Sequence, residues 1–463
     1  MRLLKFFPLL AFLFLFSLTA GCGAAEGKDE GPFQGAGGSP GGGTPDEGDS
    51  TEDPWHCAPG NWTAVLEAEG VYSISTDHYH LELEVDSKEN AEELGRMAEA
   101  AWLALTEYFD GSPELDASER LSVRLFSTKE RFEETLSAIG ADPSGAGGYY
   151  SHSTRTAYLH VQPNPNYTNI LFLHEMTHQF HHLTRAGDQN LPFWYVEGLA
   201  EYLSRHDWDG RCIRLGVIQM LSWEDLPSRA LEMISSSGLD TAGIVSGTKD
   251  ASRAESWAIV AYLERGKDGE FADAFAAYRA LMDAGSATGP TEFEELLGPL
   301  EAFGPAIAAW LPTAQEPLTP IYTEWMHVAP GTVRSLRTGL LSLARVKAAH
   351  SEFETTVTDW SSDAQVGVLA GFSDTENYVA YFLGKDRRIS EFKNVSGTVT
   401  WEIVGPVVLP SDDGSFHWTV SHTGSETQVE VNGISVRGAT GFEPASGPAA
   451  FDSGATFTDM KWH

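Results

Sequence analysis

Near Pro320 the hydrophobic period of this chain changes, and that change constrains its fold more than any other feature. From Phe193 to about Pro312 apolar residues recur at helical spacing, as in Trp257 to Leu263, Phe271 to Met282 and Phe293 to Leu311, and no strand is expected there. After Pro320 apolar and polar residues alternate. Thr356 to Trp360, Val366 to Leu369, Tyr378 to Phe382 and Thr398 to Val404 predict strands. Gln428 to Val431, Asn432-Gly433 and Ile434 to Val436 predict a hairpin. With 463 residues the chain exceeds what one core holds, so several domains are expected, the last an all-β sandwich over 320–463.

Upstream of the helical stretch the pattern is α+β. Tyr79, Leu81, Leu83 and Val85 alternate as a strand, and a helix is predicted from about Asn90 to Phe109. A strand-like run at Leu121 to Leu125, a charged helix after Thr128, and strand-like pieces at Gly148 to Ser151 and Ala157 to Val161 follow. The N-terminus has a basic start (Arg2, Lys5), an apolar run from Phe6 to Leu18 and small residues before Cys22, the pattern of an export signal over 1–21. It resembles bacterial lipoprotein signals, and the resemblance implies that Cys22 carries lipid and anchors the protein in the bacterial cell envelope, facing the periplasm or on the cell surface. Residues 22–56 are almost devoid of apolar side chains and read as a disordered Gly/Pro/acidic tether, with a typical span of roughly 30 Å. Cys57 and Cys212 then remain, to pair in an oxidising compartment or to stay as two thiols. Acidic residues outnumber basic ones 66 to 30, for a net charge of −36, which sets nucleic acid aside as a partner.

Within Leu171 to His178, His174 and His178 are four residues apart, so a helix projects both from one face, where they can share a metal ion. Glu175, beside the first histidine, is placed to act as a general base. Three fixed positions in five arise by chance in roughly 4 of 100 chains of this composition, so this motif alone is only suggestive. A second motif, Glu197-Gly198-Leu199-Ala200-Glu201, follows with 18 residues between His178 and Glu197. Two histidines and one glutamate are a ligand set for a catalytic zinc with one open position.

Together the two motifs resemble the gluzincin, or peptidase MA-like, superfamily, in which a His-Glu-x-x-His helix precedes a Glu-Gly-x-Ala helix of the aminopeptidase N type. The resemblance extends loosely over Trp62 to Pro312. It implies a gluzincin-like metallopeptidase domain over 57–315, with a β-rich N-terminal lobe and a helical C-terminal lobe. One zinc ion per chain would be held by His174, His178 and Glu197, with Glu175 as catalytic base assisting the attack of zinc-bound water on a peptide or protein substrate. Glu201 is a candidate to accept a hydrogen bond from a ligand histidine, or else a solvated helix-surface residue. His181 and His182 do not complete the metzincin pattern, which needs Gly at 181 and His at 184, and read as core or surface histidines.

Tyr262 is a candidate oxyanion donor that also fits an apolar stripe with Ile259 and Leu263, and Tyr149, Tyr150 and His152 are candidates to line a substrate cleft. The strand before the zinc helix lacks the Gly-x-Met-Glu-Asn signature with which aminopeptidases hold a free amine, which favours an endopeptidase. The C-terminal sandwich resembles concanavalin A-type and laminin G-type jelly rolls at Ala370 to Phe372, Tyr378 to Tyr381 and the Val431-Asn432-Gly433 hairpin. That resemblance implies either a glycan ligand or a purely structural accessory domain. The alternative to a peptidase is a non-catalytic surface lipoprotein that binds glycan or protein through the sandwich.

Overall fold

The computed structural model describes residues 55–463 except 117, 143–144, 187–190, 222–224, 286–288, 316–317, 323, 337–340, 360–364, 425 and 452–454. The export signal, Cys22, the tether up to residue 54 and Trp360 lie outside the described residues. The rest is multidomain and mixes α and β. Residues 55–217 and 233–310 form one compact unit, and 218–232 with 311–463 form another. Among the described residues no helix is long and apolar enough to cross a membrane.

The first unit begins with β1 (His56–Cys57), β2 (Val65–Ala68), β3 (Val71–Ser75) and β4 (Tyr79–Glu84). Next come α1 (Lys88–Tyr108), β5 (Leu121–Phe126), α2 (Lys129–Ala138), β6 (Gly148–Ser151) and β7 (Thr156–His160). Strands β2 to β7 make one six-stranded sheet in the order β2-β3-β4-β5-β7-β6. The β4–β5 and β5–β7 pairs are parallel and the others antiparallel, so β6 forms an antiparallel edge. Parallel neighbours need crossover connections, and α1 supplies the first of them. The Ser87 hydroxyl caps α1 by accepting from the Asn90 N–H, and Leu94, Met97, Ala101 and Leu105 recur on its buried face. Thr128 caps α2 in the same way.

The chain continues through α3 (Pro165–His181), a π-type turn at His182–Ala186 and α4 (Phe193–Leu203), and then forms β8 (His206–Trp208) and β9 (Cys212–Leu215). Helices α5 (Leu226–Ser237), α6 (Thr241–Val245), α7 (Arg253–Arg265), α8 (Ala272–Asp283), α9 (Pro290–Leu297) and α10 (Leu300–Trp310) follow. The expectation of no strand between Phe193 and Pro312 is therefore corrected. β8 and β9 turn at Asp209-Gly210, where Gly210 takes a φ of 97°, and β1 pairs with the far edge of β9. These strands are too short to show a period. The cross-strand partners Cys57 and Cys212 are joined by a disulfide.

The second unit is a β-sandwich. One sheet of eight strands runs in spatial order Ile218–Met220, Trp325–Ala329, Thr332–Ser335, Thr456–Trp462, Glu352–Asp359, Phe416–Thr423, Glu426–Val431 and Ile434–Thr440. The other, of seven, runs Leu318–Tyr322, Leu341–Val346, Gly447–Phe451, Gln365–Asp374, Asn377–Leu383, Arg388–Val395 and Thr398–Val407. Val357, Trp418 and Val429 of the first sheet share a core with Val368, Tyr381 and Ile389 of the second. The predicted hairpin turns at Asn432 and Gly433, both with positive φ as a two-residue primed turn requires. The contiguous division at 315/320 is corrected in one place: Ile218–Met220 pairs with Trp325–Ala329, and Met220 sits in the sandwich core. Three residues are too few for their alternation to be legible.

Candidate metal centre

Helix α3 starts on Pro165, is capped by the Asn164 side chain accepting from the Asn166 N–H, and is buried along nearly its whole length. With the helix buried on every side, packing rather than solvent fixes its histidines. Helix α4 packs against it and brings Glu197 to them. His174 Nε2 and His178 Nε2 lie 3.0 Å apart. Glu197 Oε2 is 3.5 Å from the first and Glu197 Oε1 is 3.5 Å from the second. All three residues offer a ligand atom within 4.8 Å of the others.

Glu197 Oε2 is buried with no hydrogen-bond partner, and two ring nitrogens point at one another beside it. Lone pairs that converge in this way call for a cation. A tetrahedral zinc with bonds of about 2.0–2.1 Å holds its ligand atoms about 3.3 Å apart. The observed separations and the donor set of two imidazoles and one carboxylate therefore fit zinc, with a fourth position left for water or substrate.

Around the cluster lies a ring of buried polar groups. Glu201 is 0% exposed, which removes the solvated alternative, and its Oε1 is 3.6 Å from His174 Nδ1. This carboxylate favours the tautomer with its proton on Nδ1, which leaves the Nε2 lone pair free for metal. Glu201 in turn accepts from Arg205 Nη2 at 2.8 Å and forms an ion pair with Arg253 at the start of α7. Helix α7 comes this close because position 198 is glycine. A Cβ there would meet Ser256 O and Val260 Cγ2 at 2.7 Å.

Electrostatics at the site follow from burial and from the charges of its protein groups. Burial pulls His174 down to about 3, against the pull of Glu201. It also pushes Glu175 up to about 8, with His178 opposing. For Glu197 burial works upward, but His178 and His174 outweigh it and hold the carboxyl at about 2. Burial opposes protonation of His178, yet Glu197 beside it raises that group overall.

Strand β6 lies against α3. Gly148 packs on Glu175 so tightly that a Cβ would sit 2.5 Å from Glu175 Oε1. Two residues on, the Tyr150 hydroxyl is hydrogen-bonded to His182 Nδ1 at 2.8 Å, and the His152 and His182 rings stack with centroids 4.2 Å apart. Tyr149 points to the other face, against the cluster of Phe126 and Phe132. Tyr150 and His152 are thus on the α3 side and Tyr149 is not, because alternate strand residues face opposite ways. His181 is buried, with Nε2 2.8 Å from Asp283 Oδ1, and takes no part in the ligand cluster. Tyr262 packs among Phe271, Phe303 and Trp310, so the apolar-stripe reading holds and the oxyanion assignment is withdrawn.

Three residues of the site were missed in the sequence. Arg205 lies one turn after Glu201, an i,i+4 spacing that marks such a pair. Arg253 is 52 residues from Glu201, and no local signal announces it. Gly148 has an ordinary φ, so only the neighbour it touches reveals it.

No family model matches this sequence, and no curated protein does. Among solved structures, the chain is similar to a carbohydrate-binding module from Bacillus subtilis at 14% identity and a TM-score of 0.24, over 31% of this chain and 94% of that one. It is similar to chicken galectin 2 at 12% identity and a TM-score of 0.21, over 25% of this chain and 92% of that one.

Proposed function

We propose that this protein is a zinc-dependent peptidase of gluzincin type, acting outside the cytoplasm and most readily as an endopeptidase. The observation that carries the reading is the convergence of His174, His178 and Glu197 with a buried carboxyl, Glu175, beside them. When bound, a zinc ion would polarise a scissile carbonyl and lower the pKa of a water it holds. The chain's own residues do the rest. Glu175, held against β6 at Gly148, takes a proton from the attacking water and passes it to the leaving amine. Glu201, fixed between Arg205 and Arg253, orients His174. The outer edge of β6 has no strand partner among the described residues, so an extended peptide laid there would run beside Glu175.

Export is supported by the N-terminal signal pattern, and the Cys57–Cys212 disulfide belongs to an oxidising compartment. Lipid on Cys22 would make the anchor. Two variants separate base from ligand when bound zinc is measured beside turnover on a peptide substrate. Glu175→Gln is expected to keep its zinc and lose about 100-fold to 10,000-fold in turnover. Glu197→Gln is expected to lose the zinc itself. Glu175→Gln cleaving at the wild-type rate with zinc bound would overturn the mechanism.

A further inference from the structure

Outside the ligand cluster, one buried carboxylate is shared by the two helices that carry the ligands. Asp283 closes α8, and its Oδ1 accepts from His181 Nε2 at 2.8 Å and from the Tyr195 hydroxyl at 2.8 Å. His181 is the last residue of α3, and Tyr195 is the third of α4. All three side chains are buried. The bond to Asp283 requires a proton on His181 Nε2. Phe109 stacks on the His181 ring with centroids 5.0 Å apart and planes 13° from parallel, and Tyr195 meets the same ring edge-on at 5.7 Å. Two rings and one bond thereby hold the imidazole against rotation.

Where these bonds fall along the helices matters for the metal centre. The chain leaves α3 after His181 and enters α4 at Phe193, so Asp283 ties the exit of one helix to the entry of the other. At a rise of about 1.5 Å per residue, His178 lies about 4.5 Å back along α3 and Glu197 about 3 Å forward along α4. A tilt of either helix at this junction is carried directly to a ligand atom. Functional side chains need placing to within about 0.5 Å. Glu201 and Arg253 fix α4 further along, against α7, and leave its start to α8.

A buried carboxylate is costly unless its charge and lone pairs are used. The cation nearest in sequence is Arg279, one turn earlier on α8. It is itself buried, lies over the Tyr108 ring at 3.8 Å and donates from Nη1 to Tyr108 O at 3.0 Å. An apolar residue at 283 would fill the space without that cost, but would take this acceptor from the Tyr195 hydroxyl and His181 Nε2. We propose that Asp283 is a positioning residue for the metal centre, holding His178 and Glu197 at their separation by tying α3 to α4 through His181 and Tyr195. The assignment rests on the zinc reading of His174, His178 and Glu197, and is independent of what a bound zinc does to a peptide.

The test uses the full chain, stripped with chelator and reloaded with zinc or with cobalt(II), whose visible absorption reports the geometry of its ligands. Zinc affinity is measured by competition with a chromophoric chelator, beside the thermal midpoint of the metal-free protein. Asp283→Leu is expected to lower zinc affinity about 10-fold to 100-fold and to shift or weaken the cobalt bands. Asp283→Asn keeps an Oδ1 that can accept both bonds, and is expected to keep the wild-type affinity and spectrum. Tyr195→Phe deletes one bond and keeps the ring. It is run in case Asp283→Leu does not fold, with a smaller change in the same direction expected. A role in packing alone would lower the metal-free midpoint and leave affinity and cobalt bands of the folded variants as in the wild type, and that result would overturn the assignment. So would Asp283→Asn binding as weakly as Asp283→Leu, since charge and not the shared bonds would then be at work. A wild type that takes up neither metal would overturn this assignment and the zinc reading together, whereas unchanged binding in the variants leaves the zinc reading standing.

Discussion

At the residue scale the site turns on what sits next to Glu175. Gly148 leaves its carboxylate no room to move toward β6, so Gly148→Ala must displace either the strand or the base. The expected outcome is retained zinc with turnover lowered about 10-fold to 1,000-fold, mostly in kcat, because a misplaced base loses part of the roughly 100-fold to 10,000-fold that proton transfer supplies. Wild-type kcat in that variant would show that Gly148 is mere packing. The buried carboxyl also leaves a mark on stability. A carboxyl whose folded pKa is raised from 4.5 to about 8 binds its proton more tightly folded than unfolded, so stability falls as pH rises through that window. Below 6.5 the depressed His174 pulls the other way, since its folded pKa is about 3. Above 6.5 the raised His178 loses stability in the same direction as Glu175, so the contribution of Glu175 is read as the difference from Glu175→Gln. Between pH 6.5 and about 8 the chelator-treated wild type should lose more stability than Glu175→Gln in denaturant titrations. Equal slopes would contradict the placement of Glu175.

At the element scale, the approach of α7 to α4 is what delivers Arg253 to Glu201. Gly198→Val would push the helices apart at Ser256 and Val260, and overpacking of this kind costs about 1–3 kcal/mol. It is expected to lower the denaturation midpoint and to weaken zinc retention together, although residue 198 is not a ligand. Retention unchanged in a folded Gly198→Val protein would remove Arg253 from the account. This coupling shows what the sequence could and could not convey. His174, Glu175 and His178 were legible because one helix turn sets their spacing, and Glu197 because a second motif follows closely. Helix α1 was legible from its apolar period and α3 from the spacing of its two histidines. Arg253 was not, because its partner is reached through tertiary packing, and β8, β9 and the Ile218–Met220 strand were not, because three or four residues carry no period. Tyr262 misled because an apolar stripe and a catalytic tyrosine look alike until its neighbours are known.

At the scale of the whole molecule, the Cys57–Cys212 disulfide ties the start of the described chain to β9 across 155 positions. Closing a loop of that length restricts the unfolded chain, and loss of such a bond typically costs about 2–5 kcal/mol. Cys57→Ser with Cys212→Ser should lower the denaturant midpoint accordingly, and an unchanged midpoint would mean that the strand pairing alone holds β1. If lipid on Cys22 is the anchor, Cys22→Ser should move the protein from the membrane to the soluble fraction of cells that export it. Continued membrane fractionation would refute the anchor and leave the peptidase reading untouched. The zinc-peptidase activity proposed above rests on the convergence of His174, His178 and Glu197 beside the buried Glu175. The most direct measurement incubates the purified full chain with a denatured-proteome peptide library, with chelator, without it, and with zinc restored. New internal cleavages that vanish with chelator and return with zinc are the predicted result; a library left intact by the zinc-loaded protein, or cut equally in the presence of chelator, would contradict it.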